Sequence, residues 1–261
     1  MPTQGSDAFR PRPSPIADDG DELSFCSTCA FAGACRAEGY DKASLIELHC
    51  LVEHVGPYRA GSHLFREGDP FNAIAAVRAG TVKTYTVDAS GREQVLGFFL
   101  PGEVIGLNAI HGARFPCNAQ ALDTVTLCRF SFPLMATLAT RMPGLQDQLF
   151  RLLSEDINKA TVLAGDFSAD ERMAAFLISL SRRYQQRGFS ATRFCLAMSR
   201  TDIANYLRLA AETVSRVLRR LQRDGLLEVE RREFVITDLA RLEQLAQPLL
   251  RCWDGTASRT P

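Results

Sequence analysis

At Pro133 the texture of this chain turns from short alternating runs to helical periodicity, and that change restricts the possible folds more than any single motif. From Tyr58 to Phe132, short alternating runs are broken by turns at Gly61, Gly68-Asp69, Gly80, Ser90-Gly91, Pro101-Gly102 and Gly112. Turn signals about every ten residues between period-two runs predict an antiparallel barrel or sandwich. Val82 to Val87 and Thr124 to Cys128 are the clearest strands. Beyond Pro133 the pattern is helical. Leu149, Leu153, Ile157, Ala160 and Ala164 recur in steps of four, four, three and four, close to the seam that pairs two helices in a coiled coil. Packing onto the helix's own domain would use the same stripe, and spacing does not separate the two. Gly165 to Asp170 then breaks the pattern, and Asp170 to Tyr184 reads as a second amphipathic helix with Met173, Phe176, Leu177 and Leu180 on one side.

Ahead of the alternating region, Pro2, Pro11, Pro13 and Pro15 and few large apolar residues mark a tail with no core of its own. Cys26, Cys29 and Cys35 follow within ten residues. A CxxC turn aims two soft thiolates at one point, so this spacing lets one loop wrap a metal centre. Ser44 as a cap and the spacing of Leu45, Leu48, Leu51, Val52 and Val55 predict a short helix next. No apolar run reaches the roughly 18 residues of a membrane span, and the N-terminal residues lack the order of a signal peptide. The expected location is the cytoplasm. There the eight cysteines stay reduced and read as metal ligands, reactive thiols or small buried hydrophobes.

A formal net charge of zero hides a local basic patch. Between Ser199 and Arg223, Arg200, Arg208, Arg216, Arg219, Arg220 and Arg223 stand against only Asp202 and Glu212. The same stretch reads as two helices with a tight turn: Thr201 as N-cap of the first, a turn at Arg208-Leu209-Ala210, then Ala211 to Asp224 stopped by Gly225. Val214, Val217, Leu218 and Leu221 face inward, leaving Glu212, Ser215, Arg216, Arg219, Arg220 and Arg223 outward. Arg216 can donate bidentately to guanine, Glu212 can accept from an exocyclic base amine, and Ser215 can reach a base edge or phosphate. Arg200, Arg219, Arg220 and Arg223 suit phosphates, which give affinity without sequence information. Leu226 to Glu230 and Phe234 to Ile236 alternate like the hairpin of a winged helix. Arg208 stands where many such turns use Gly, at a cost of about 1 kcal/mol if its backbone is left-handed.

An alternating domain, a stripe helix and a C-terminal winged helix, in that order, resemble the Crp/Fnr superfamily of bacterial transcription regulators. The Fnr oxygen-sensing branch is the nearer likeness, from Cys26 to about Leu245. It rests on the Cys26, Cys29, Cys35 cluster, Gly97 to Gly106, Ala119 to Asp123, Leu180 to Arg183, Arg187 to Ser190, and Glu212-Thr213-Val214-Ser215-Arg216. The resemblance implies an α+β chain: a β-roll (double-stranded β-helix) sensory domain like those that bind cyclic nucleotides, a long dimerisation helix and a winged helix-turn-helix domain. The corresponding divisions are a disordered tail (1–24), a cysteine loop (25–40), the β-roll (41–142), the helix (143–167), the DNA-binding domain (168–245) and a C-terminal tail (246–261).

The resemblance further implies an oxygen-labile [4Fe-4S] cluster held by Cys26, Cys29, Cys35 and Cys128, with Cys117 the alternative fourth ligand and Cys50 and Cys195 outsiders. Cys117 follows Pro116 in an apparent loop, easier to reach but off the family pattern. By the same resemblance the protein is an activator that works with RNA polymerase, a homodimer paired through Leu149, Leu153, Ile157 and Ala160. It would read TTGAT-type palindromes through Glu212, Thr213, Ser215 and Arg216, with Arg200, Thr201 and Arg219 alongside, and release them when oxygen disassembles the cluster. One departure is that Asn158 to Asp170 is about one helical turn shorter than in well-known members.

Five other readings compete. A cyclic-nucleotide sensor needs an Arg, a small hydroxyl and Ala for the phosphate; Gly102-Glu103 is present, but Pro116-Cys117-Asn118-Ala119 occupies that stretch and Arg114 is displaced. Structural zinc would accept the same thiolates, or the regulator could be redox-responsive with no cluster. His49, His54, His63 and His111 are scattered singly, which does not favour haem. The sequence holds no nucleotide-binding loop, HExxH or GxSxG of an enzyme.

Overall fold

A computed structural model describes Phe31 and residues 51–253, with side chains described except at 159–164 and 251–253. Cys26, Cys29, Cys35 and Cys50, the expected tail at 1–24 and the Ser44-to-Leu48 part of the expected helix lie outside the described residues. Residues 52–131 form two antiparallel four-stranded sheets. One has the order β1 (Val52–Tyr58), β8 (Val125–Ser131), β3 (Ala73–Ala79), β6 (Val104–Ile105); the other β2 (His63–Phe65), β7 (Asn118–Ala121), β4 (Val82–Val87), β5 (Glu93–Phe99). Small and branched residues fill the space between them: Ala75, Val77, Val82, Ile105, Ala119, Ala121, Val125 and Leu127.

The turns carry the chemistry that the sequence displays. Gly80 has φ 83°, and an added Cβ would overlap the Thr124 carbonyl and the Asp123 carboxylate. That carboxylate accepts from the Thr81 N–H at 2.7 Å, so the β3–β4 and β7–β8 turns interlock only if residue 80 is Gly.

The helix expected around Leu51, Val52 and Val55 is instead β1. Val52 pairs with Phe130 and Val55 with Leu127 across the antiparallel ladder. Their spacing fits a helical face, but two β-branched residues beside an open edge of β8 gain more from the ladder.

The described helices begin with α1 (Phe132–Ala139), with Pro133 in its first turn where a missing N–H costs nothing. The long α2 (Pro143–Ala164) packs Leu145 and Leu149 into a core shared with Phe31, Phe130, Met135, Leu138 and Met142. Leu149 therefore serves its own domain, Leu153 is half-buried, and Phe150 and Ile157 are exposed at 57% and 66%. Nothing is described of the Ala160 side chain.

After the break comes α3 (Ala169–Gln185), entered through a capping box between Ser168 and Glu171 and burying Met173, Phe176, Leu177 and Leu180. The final α6 (Leu239–Trp253) buries Leu242, Ala246, Leu249 and Leu250 and packs along α3. The tail expected from 246 is thus helical to Trp253. Pro248 argues locally against a helix, but the apolar stripe at steps of four, three and one outweighs it.

Candidate nucleic-acid interface and sensor cysteines

Two short helices build the reading head, α4 (Arg200–Leu207) and α5 (Ala211–Arg223). Ser199, and not Thr201, is the N-cap of α4. Its Oγ accepts from the Asp202 N–H at 3.0 Å and Asp202 returns the bond by accepting from the Ser199 N–H at 3.2 Å. Ser199 with Asp202 three residues on is the capping-box signature, and that signal was present in the sequence. Thr201 lies exposed in the first turn. The turn closes at Arg208, which is left-handed with φ 56° and ψ 45°; the next N–H, of Leu209, donates to the Ala204 carbonyl at 2.9 Å.

On α5, Val214, Val217, Leu218 and Leu221 are buried, while Glu212, Arg216, Arg219 and Arg223 are exposed. Thr213 and Ser215 are half-buried beside them. Arg216 Nη2 donates to Thr213 Oγ1 at 3.3 Å, so Thr213 steadies the guanidinium. Ser215 Oγ donates to the Ala211 carbonyl at 3.1 Å, which leaves its lone pairs outward. Arg220 does not join this face: its guanidinium pairs with the Asp170 carboxylate of α3. Arg200 lies over the ring of Phe234, 4.8 Å from its centroid, close to the wing. The wing is β10 (Leu227–Glu230) and β11 (Glu233–Ile236), paired Leu227 to Ile236 and Glu230 to Glu233 and extended by β9 (Arg193–Cys195).

The two candidate sensor thiols differ sharply. Cys128 is half-buried on β8, opposite His54 of β1, with Sγ 3.4 Å from His54 Nδ1. Cys117 is 1% exposed and accepts from Asn108 Nδ2 at 3.4 Å, and burial pushes its thiol up, against the thiolate that a metal needs. The expectation that Cys117 is the easier to reach is therefore overturned, because the residue enters β7 with its side chain packed inward.

Phe31 was missed in the sequence, where it is one aromatic in a cysteine-rich stretch. Fully buried, it meets Phe130 edge-on with centroids 5.1 Å apart. Phe130 is two residues from Cys128 and so on the same face of β8. Phe31 is also two residues after Cys29 and four before Cys35. Among the described residues no three His, Cys, Asp or Glu side chains gather to hold a metal ion. The donor types suit a soft cluster: one accessible thiol on β8, and three more cysteines near Phe31 in the sequence.

A two-sheet barrel, a 22-residue helix and a winged helix-turn-helix with an exposed basic face together define a DNA-binding regulator. Comparison with known proteins agrees domain by domain: residues 56–141 match the cyclic nucleotide-binding domain, and 171–245 the Crp-like helix-turn-helix domain. The transcriptional activator protein anr of Pseudomonas aeruginosa is 42% identical over 224 residues, 85% of this chain and 92% of that one. The fumarate and nitrate reduction regulatory protein of Escherichia coli K12 is 39% identical over 224 residues, 85% and 90% of the two chains. The solved structure of FixK2 from Bradyrhizobium japonicum superposes with a TM-score of 0.67 at 29% identity, covering 74% of this chain and 96% of that one. The chain belongs to the Crp/Fnr family and is a transcription regulator, not an enzyme. No helix among its described residues is long and apolar enough to cross a membrane.

Proposed function

We propose that the protein is a cytoplasmic, oxygen-responsive regulator that binds TTGAT-type palindromes as a homodimer when oxygen is absent. The observation that carries this reading is the packing of Phe31, two residues after Cys29 and four before Cys35 in the sequence, on Phe130, which shares a face of β8 with Cys128. Cys26, Cys29, Cys35 and Cys128 would hold a [4Fe-4S] cluster, whose chemistry when bound is lability to oxygen. The relatives named a transcriptional activator protein and a fumarate and nitrate reduction regulatory protein support the transcription-regulator part of this reading.

The rest follows from the chain's own residues. Phe31, Phe130, Leu145 and Leu149 share one core, so a shift of Phe31 against β8 is transmitted by close packing to α2. Leu149 faces that core, while Phe150 and Ile157, seven residues apart on one side of α2, are exposed. We assign the dimer seam to this exposed side with Leu153, and keep Leu149 as the inner link. Pairing there sets two α5 helices one DNA turn apart, about 34 to 36 Å. Glu212 and Arg216 then read base edges, Thr213 and Ser215 support them, and Arg200, Thr201 and Arg219 line the backbone. RNA polymerase is the expected further partner of an activator so placed.

The test is DNA binding by one preparation before and after air. Anaerobic protein should bind a TTGAT palindrome in fluorescence anisotropy, with salt dependence, and lose most of that affinity after exposure. Equal affinity in both states would refute oxygen response.

A further inference from the structure

Val82 of β4 points into the barrel core, so Lys83 faces outward, where a lysine would ordinarily meet water. It is only 5% exposed, because α4 of the DNA-binding domain covers it. Its ammonium donates to Glu93 Oε2 and to Asp202 Oδ1, each at 2.9 Å. Glu93 belongs to the same sheet, whereas Asp202 lies 119 residues on, in the first turn of α4. A few ångströms away, Asn205 behaves as a short partner strand for β5, the edge of its sheet. Its Oδ1 accepts from the Val95 N–H at 2.7 Å and its Nδ2 donates to the Glu93 carbonyl. Behind this pair, the rings of Phe98, Phe176 and Tyr206 stand with centroids 5.2 to 6.2 Å apart.

We propose that Lys83 is a positioning residue for DNA recognition: with Asp202, Glu93 and Asn205 it locks α4 onto the β4–β5 hairpin, so that the reading head leaves the sensory domain at one fixed angle. Apolar rings tolerate sliding, but moving α4 takes the half-buried Asp202 carboxylate away from the buried Lys83 ammonium, which Glu93 of its own sheet would then hold alone. The lock also leaves the reading face open, with Glu212, Arg216 and Arg219 exposed in the docked arrangement. Lys83 therefore acts on where the recognition helix points, not on what it reads.

This inference rests on the DNA-recognition reading above and makes a separate demand of it. In a symmetric dimer, the angle at each lock fixes the distance between the two reading heads. Loosening the lock should relax the preference for half-site spacing while base discrimination survives. The experiment uses the full chain, purified without air, as wild type, Lys83→Met and Asn205→Ala. Anisotropy is measured on three duplexes: the palindrome, the palindrome with its centre changed by two base pairs, and the palindrome with one half-site base substituted.

In either variant the affinity ratio between correct and altered spacing should fall roughly tenfold, with the base-substitution ratio kept within about twofold. Amide exchange at Val95 should accelerate in Asn205→Ala without DNA. If Lys83→Met does not fold, judged by circular dichroism and melting, Asn205→Ala carries the test. Wild-type protein that binds no duplex would overturn the DNA-recognition reading. Wild-type binding with an unchanged spacing ratio in the folded variants would overturn the Lys83 assignment alone.

Discussion

Phe31→Ala is the most informative single change, because it separates anchoring of the cysteine stretch from the ligands themselves. The ring is fully buried among Phe130, Met135, Met142 and Leu145 and meets Phe130 edge-on. Truncating a buried Phe to Ala costs about 3 to 5 kcal/mol, and roughly 1 kcal/mol of that is the aromatic pair beyond simple burial. If Phe31 exchanges between packed and released positions, the Ala variant shifts their ratio by roughly a hundredfold to several thousandfold. Phe31→Leu keeps most of the apolar area and should shift it by only about fivefold. The assay is anaerobic transfer of iron from the purified protein to a coloured chelator in excess, with thermal melting alongside to confirm a folded barrel. Release should be slow in wild type, slightly faster in the Leu variant and much faster in the Ala variant. Equal rates in all three, with the barrel folded, would refute the anchoring role of Phe31.

Three further outcomes are expected. Cys128→Ser should abolish iron retention in anaerobic protein, whereas Cys117→Ser should leave it intact, because the Cys117 thiol is buried at the start of β7; the reverse result would move the fourth ligand. Arg216→Ala should cost about 1 to 3 kcal/mol of discrimination between the TTGAT site and a substituted half-site, with iron content unchanged. Arg208→Gly should raise stability in urea unfolding by about 1 kcal/mol, because the residue is left-handed and a glycine there carries no Cβ clash; a loss would mean that the Arg208 side chain contributes more than its backbone strain costs.

What the sequence made legible was local. Alternation and Gly turns marked the barrel, with Val82 to Val87 matching β4 to the residue, and the inward set Val214, Val217, Leu218 and Leu221 marked the recognition helix. Errors arose where one local signal had two readings. Val52 and Val55, three apart, fit one face of a helix; in β1 they point to opposite faces and pack on different cores, an outcome that the edge of β8 decides. Thr201 and Ser199 are both cap residues, and Asp202 three positions beyond Ser199 decides.

Pro248 hid the end of α6, because its penalty is local while the burial of Leu249 and Leu250 depends on α3. Contacts between distant segments left no periodic trace at all. Arg183 and Arg187 stood out in the sequence only as part of a family pattern. In the fold both converge on Glu103, at 2.7 Å from Arg183 Nε and 2.9 Å from Arg187 Nη2, and tie α3 to the barrel. Glu103, offered as part of a cyclic-nucleotide site, is thereby engaged in holding two domains together. Phe31 and Lys83 belong to the same class: each is ordinary in its own neighbourhood, and its role is defined by a partner about a hundred residues away.

A cluster bound by Cys26, Cys29, Cys35 and Cys128 underlies the proposed oxygen response. Its most direct test is the iron and acid-labile sulfide content of anaerobically purified protein, followed by absorption spectroscopy as air is admitted. About four iron and four sulfide per chain, with a broad visible band that bleaches in air, is the predicted result. Stoichiometric zinc with no sulfide, or a spectrum indifferent to air, would contradict it.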